Sequence, residues 1–126
     1  MFDQRPTGVT DAAKTVLGFY RDTTIVGCAD FIDGYPESGM AWLGLLLLTE
    51  AYQGQGFGSA AFNHIRRMSL ERSHRAIRLA VIETNPRALA FWQRHGFVTI
   101  DPRDVPGFAA RAQILEHAIV DPAGID

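Results

Sequence analysis

Glycine takes alternate positions 54, 56 and 58 in the segment Tyr52-Gln-Gly-Gln-Gly-Phe-Gly58. Without side chains the backbone there can turn sharply and point consecutive N–H groups to one side. The segment stands just before a stretch with helical periodicity, so those groups would lie at the positive end of a helix dipole. Such a turn is chemically suited to an anion, and a pyrophosphate fits it. A ligand-free glycine turn would look the same when taken alone. Two familiar phosphate loops can be tested directly. A P-loop needs Gly-Lys-Ser/Thr at its end, and no Lys is present here. The dinucleotide fingerprint needs a third glycine (or alanine) three positions after its second, which falls on Ser59. Both fail.

The elements around the turn set its context. Thr15 to Tyr20 and Thr24 to Ile32 read as two strands, with Arg21-Asp22 short enough for a hairpin turn. Met40 to Leu48 is apolar throughout, as expected of a strand buried on both faces. Phe57, Ala61, Ile65 and Met68 then recur at helical spacing, which predicts a helix over Phe57 to Arg72. Ala76 to Ile82 returns to strand character. Asn85-Pro86 reads as an N-cap followed by proline in the first helical position, and Gly96 stops that helix after His95. Phe97 to Ile100 and Ala112 to Val120 read as strands flanking a loop at 102–107. Residues 1–10, with Pro6 and Gly8, read as an irregular lead-in. The predicted order is β-β-β-α-β-α-β-β. It implies an α/β fold of the α+β kind, a mixed sheet with helices packed on it, in one domain over residues 1–126.

Composition excludes several classes. The chain has 126 residues, 47% hydrophobic and 21% charged, with formal net charge -2. An ordinary globular domain has such a balance. Arg66, Arg67, Arg72, Arg75 and Arg78 cluster, but Glu71 and Glu83 lie among them, so a solvated helix face is expected rather than a nucleic-acid surface. Cys28 is the single cysteine, which precludes an intrachain disulfide, and its apolar neighbours suggest a buried strand position. The apolar run from Gly39 to Leu48 is too short to cross a bilayer as a helix. The first ten residues lack the charged start and apolar stretch of a signal peptide. A cytoplasmic protein with no nucleic-acid or membrane partner and no metal is expected.

At the glycine turn the chain resembles the GNAT superfamily of acetyl-CoA-dependent acyltransferases. That family's pyrophosphate motif, Gln/Arg-x-x-Gly-x-Gly/Ala, is matched by Gln53, Gly56 and Gly58. Its second pattern, Asn-x-x-Ala-x-x-Phe-aromatic-x-x-x-Gly-Phe, is matched by Asn85, Ala88, Phe91, Trp92, Gly96 and Phe97, in the family's order. The resemblance covers about residues 15–120. It implies that the strand before the turn splays from the next parallel strand and that acetyl-CoA, as cosubstrate, enters the gap. It further implies that the backbone of Leu46 and Leu48 pairs with the pantetheine arm and orients the thioester. The N–H groups of Gln53, Gly54, Gln55, Gly56, Phe57, Gly58 and Ser59 would hold the pyrophosphate. Asn85, Phe91 and Trp92 would flank the far side of the pantetheine.

The implied reaction is direct attack by a primary amine on the thioester. This amine would belong to a small-molecule acceptor whose identity the sequence does not disclose. Three departures from the family pattern bear on that reaction. Trp92 stands where a tyrosine commonly protonates the leaving thiolate, and an indole N–H has no useful acidity. Ala80 and Trp42 occupy the two positions where protein-acetylating members carry a catalytic glutamate. The residues before Lys14 are too few for the strand and two helices that usually precede the hairpin. The acceptor site is therefore expected to be open or completed by a second copy in a homodimer. Asp30 and Glu83 remain candidates for the base, followed by Glu50 and His95, although each also fits a solvated charge or turn residue. The competing reading is a non-catalytic module that binds or senses acyl-CoA.

Overall fold

The computed structural model describes residues 2–9, 14–48, 54, 56–82, 84–105 and 112–119. Strands β1 (Phe2–Val9), β2 (Lys14–Arg21), β3 (Thr24–Asp33) and β4 (Met40–Leu48) form an antiparallel meander. Helix α1 (Phe57–Glu71) crosses over to β5 (Ala76–Ile82), which lies parallel to β4. Helix α2 (Pro86–Arg94) leads to β6 (Val98–Ile100), and β7 (Ala112–Ala118) inserts between β5 and β6. All seven strands belong to one sheet, ordered β1-β2-β3-β4-β5-β7-β6. The mixed, mostly antiparallel sheet with helices packed on it is the architecture that the residue pattern implies.

The first residues differ from the expected lead-in. Phe2–Val9 form β1, paired with β2 from Phe2↔Arg21 to Val9↔Thr15. Pro6 and Gly8 weaken the strand signal in the sequence, yet proline is tolerated on an edge strand, where one side of the ladder needs no donor. A register shift between Pro6 and Gly8 absorbs the irregularity. The strand that the family pattern places before the hairpin is therefore present. Only residues 10–13 separate it from β2, too few for two helices.

The two faces of the sheet are covered differently. Helix α1 buries Ala61, Phe62, Ile65, Met68 and Ser69. Its apolar side chains meet Leu17, Phe19, Ala29 and Phe31 from the first hairpin, and Ala41, Leu43, Ile77, Leu79 and Val81 from the central strands. Ala88, Leu89 and Trp92 of α2 pack against the same cluster, so both helices lie on one face. The other face holds a smaller cluster of Trp42, Val105 and Ile114, bordered by Ile32, Tyr35, Ala80 and Ile100. Among the described residues no α-helix covers it, and a short 3-10 helix, Pro102–Asp104, leads into the buried Val105 at its margin. Cys28 lies on β3 as expected, but it is only partly buried.

Candidate acyl-coenzyme site

Strands β4 and β5 pair at only three positions, Met40↔Ala76, Ala41↔Ile77 and Trp42↔Arg78. Beyond Trp42 each strand follows its outer neighbour instead. Strand β4 stays with β3 as far as Gly27↔Leu48, and β5 stays with β7 as far as Ile82↔Ala112. The two parallel strands therefore splay. The cause lies in β4, where Asp30 faces Leu45 and Phe31 faces Leu43, leaving Gly44 as an extra residue. Such a bulge bends the strand and increases its local twist. A glycine inside an apolar strand is the sequence signal for this, and reading Met40 to Leu48 as one continuous run passes over it.

The splay opens a cavity of about 510 Å³. Leu43, Gly44 and Leu46 line one wall, and Leu79, Ala80, Val81 and Ile82 line the other. Thr84, with Asn85, Ala88 and Trp92, closes the end toward α2. No described side chain in this lining is ionisable, and Ala80 presents a methyl group where a glutamate would serve as base. A carboxylate does stand behind the bulge. A Cβ built on Gly44 would lie 3.5 Å from Cγ of Asp30. Asp30 Oδ2 is 3.1 Å from Lys14 Nζ, while Oδ1 is buried and makes no hydrogen bond. Asp30 shares its face with Ile32, the face that neither helix covers. Glu83 and Glu50 lie outside the described residues, as do Gln53 and Gln55.

Helix α1 begins at the glycine turn. Gly54 and Gly56 have φ of 73° and 84°. Glycine adopts this left-handed conformation without steric penalty. Gly56 is the N-cap, no side chain caps the helix, and its first turn has no acidic residue. The leading N–H groups are thus left for an external acceptor. A Cβ at Gly54 or Gly56 would meet nothing within 4 Å, so the demand for glycine comes from the backbone angle rather than crowding. A second cavity, about 420 Å³, is lined by Gly54, Gly56, Gly58 and Ser59 together with Arg87, Phe91 and Arg94 of α2.

Helix α2 thus serves two cavities with two stripes. Asn85, Ala88 and Trp92, spaced three and four apart, face the cleft; Arg87, Phe91 and Arg94, spaced four and three apart, face the glycine turn. Asn85 also caps the helix, accepting a 3.1 Å hydrogen bond from the Ala88 N–H through Oδ1. Trp92 sits edge-on to Phe62, Phe91 and Phe97, with ring centroids 5.6, 4.8 and 5.2 Å away. The sequence motif singles out Phe91 and Trp92 but passes over both arginines, although their spacing from Phe91 marks them as its neighbours on one helix face.

His95 is placed at the glycine turn rather than in the cleft. Its Nε2 lies 3.0 Å from Ser59 Oγ, and its ring packs against Phe91 and Phe62. Burial, and then the charge of Arg94, hold its pKa below the ordinary histidine value. A neutral imidazole there ties the C-terminal end of α2 to the first turn of α1. His117, also held low mainly by burial, accepts a 3.1 Å hydrogen bond from Arg66 Nε. No group of three His, Cys, Asp or Glu side chains is placed to hold a metal ion among the described residues. Nor is any described helix long and apolar enough to cross a membrane.

Comparisons with known proteins agree with this geometry. Residues 2–97 match the acetyltransferase (GNAT) family. An acetyltransferase from Thermus thermophilus is 28% identical, with a TM-score of 0.74 over 86% of this chain and 66% of its own. The PaiA N-acetyltransferase of Thermoplasma acidophilum, solved in complex with coenzyme A, is 20% identical, with a TM-score of 0.71 over 84% of this chain and 61% of its own. The chain thus spans slightly less than two thirds of the length of either protein. A GNAT family acetyltransferase from Elizabethkingia anophelis with acetyl-CoA bound shares the fold at 12% identity, with a TM-score of 0.74 over 93% of this chain and 97% of its own. No curated protein sequence matches. With a family match over most of its length and a splayed β4–β5 pair leading to a glycine-capped helix, this chain belongs to the acetyltransferase (GNAT) family.

Proposed function

We propose that the protein is an N-acetyltransferase that binds acetyl-CoA and transfers its acetyl group to a primary amine on a small molecule. The observation that supports this best is the succession of two cavities along α2, from the splayed strands to the glycine turn. That path suits a long coenzyme with a phosphate-bearing end and an extended arm. The proposed arrangement places the pyrophosphate at the N–H groups of residues 53–59 and the pantetheine along the backbone of Leu46 and Leu48. Asn85 and Trp92 border the arm from α2. The bend at Gly44 brings the thioester to the face that carries Asp30.

In this reading the amine nitrogen attacks the carbonyl carbon, and the C–S bond breaks from the tetrahedral intermediate. A backbone N–H of β4 stabilises the oxyanion. An alkylamine has a pKa of about 10.4, so the attacking nitrogen must lose a proton. Asp30 is the proposed base, because its Oδ1 is buried without a hydrogen bond and lies beside the bulge. A homodimer is part of the same proposal, since the acceptor face lacks α-helical cover among the described residues; a clean monomer by sedimentation at high micromolar concentration would remove it.

A cleft lined by no described ionisable side chain also suits a module that binds acyl-CoA without turning it over. Calorimetry with acetyl-CoA, followed by steady-state release of CoA in the presence of an amine panel, separates the two. Binding with amine-dependent release supports the transferase. Binding with no release across the panel favours the sensor, and no binding ends both readings.

A further inference from the structure

Arg87 and Arg94 both lie on α2 with Phe91 between them. Seven residues of helix separate the two arginines by about two turns, roughly 10 Å along the axis. All three side chains line the cavity above the glycine turn. Neither arginine forms an ion pair or hydrogen bond with any described residue, and Arg94 extends over the Phe91 ring at 5.7 Å. Several other exposed arginines are paired, Arg72 with Asp33, Arg75 with Glu37 and Arg103 with Asp101, whereas exposed Arg67 has no described partner and lines neither cavity. No acidic side chain among the described residues lines this cavity, and neither helix has one in its first turn. Two guanidinium groups with no described partner therefore face a space already bounded by the anion-ready end of α1.

A pyrophosphate seated on the glycine turn would find its acceptors met by backbone N–H groups. Coenzyme A carries one phosphate more, the dianionic group on the ribose 3′ position, which needs a charged partner beyond the turn. Guanidinium suits it through charge-assisted, forked hydrogen bonds. We propose that Arg87 and Arg94 form a specificity subsite for this 3′-phosphate, with Phe91 as the apolar floor between them, so that the protein discriminates coenzyme A from its 3′-dephospho form. The proposal rests on the acetyl-CoA reading above and adds which part of the coenzyme these side chains recognise.

The test measures dissociation constants of CoA and 3′-dephospho-CoA by calorimetry for the native chain and for the double variant Arg87→Gln, Arg94→Gln. Both positions are exposed, so the variant is expected to fold, and its melting temperature checks this. The native protein should prefer CoA by about tenfold, as two partly exposed charge pairs allow. The variant should bind both compounds alike, at the native affinity for dephospho-CoA, and Arg87→Lys, Arg94→Lys should regain part of the preference. Retention of the full preference in the Gln variant overturns the proposal. So does an equal loss for both compounds, which would assign the arginines to the pyrophosphate or to helix packing. A native chain that binds both equally well overturns the subsite while leaving the coenzyme reading intact; one that binds neither overturns both.

Discussion

The proposed coenzyme end and the proposed acceptor face of this protein are built by opposite means. The glycine turn is built mainly from backbone, with positive φ at Gly54 and Gly56 and an uncapped helix start, and arginines of a neighbouring helix border it. The other face of the sheet offers one bulge and one carboxylate, with no α-helix packed above them among the described residues. A diphosphate can be held by chain geometry that recurs in many settings, because every peptide group offers the same donor. An acceptor amine has to be chosen by side chains specific to it. The first region should therefore be sensitive to any change of backbone, and the second to changes at very few positions.

The sharpest break in this comparison is Gly56→Glu. It forces a non-glycine residue to φ of 84° and places a negative charge where the pyrophosphate is proposed to sit. The backbone angle alone disfavours any residue with a Cβ. Acetyl-CoA affinity in the native chain is expected in the micromolar range, about -8 kcal/mol, and the variant should lose roughly 100-fold or more. Calorimetry checks this. Unchanged affinity would remove the basis for placing the coenzyme at this turn.

Asp30→Asn probes the other region. Loss of a general base lowers turnover by about 10²–10⁴-fold, while coenzyme affinity should remain as in the native protein. The acidic limb of the pH–rate profile should disappear with it. The same measurement on Glu83→Gln decides between the two carboxylates. A native profile in Asp30→Asn would transfer the role to Glu83 or to water.

A smaller effect concerns stability. His95 and His117 both have pKa values lowered in the fold, chiefly by burial. The unfolded chain therefore binds protons more readily than the folded one as pH falls through the ordinary histidine range. By linkage, stability falls with decreasing pH across that range and levels off below the lowered pKa values, where both states are protonated. Urea midpoints at pH 7.5 and 5.5 should show this loss, and His95→Gln with His117→Gln should reduce it. If the double substitution leaves the pH dependence unchanged, the histidines are not its source.

Legibility in the sequence follows the same division. Backbone-driven features leave a strong trace, since the glycine spacing and the Asn85-Pro86 pair each demand a particular chain conformation. Periodicity locates α1 and α2 because a helix repeats its buried face every three to four residues. Strand β1 escapes notice because it is an edge strand whose pairing comes from β2, not from its own alternation. The bulge is hidden because Gly44 sits in an apolar run whose hydrophobicity dominates the pattern. Arg87 and Arg94 carry no motif because their proposed role depends on where α2 lies relative to the turn. That is a tertiary relation, and spacing alone does not contain it.

The smallest expected effect is at Trp92, which lines the cleft between the two regions. Its ring borders the cleft while packing edge-on against Phe62, Phe91 and Phe97. Three aromatic contacts fix the plane of the indole and leave it a wall of the cleft rather than a mobile donor. An indole N–H does not release its proton at neutral pH, so the leaving thiolate must take one from elsewhere. A free thiol has a pKa of about 8.5, and water can meet that need. Trp92→Phe removes part of the wall and should lower stability by about 1–2 kcal/mol. A general acid contributes about 10²–10⁴-fold, so a packing residue should be recognised by a fall in turnover smaller than about tenfold. Any further penalty should appear in coenzyme affinity. Trp92→Tyr should equal or exceed the native turnover if its hydroxyl reaches the sulfur. Should Trp92→Phe instead lose roughly 100-fold in turnover with coenzyme affinity intact, the indole acts in the transition state. The division between a backbone-built coenzyme end and a side-chain-built acceptor face would then have to be redrawn through α2.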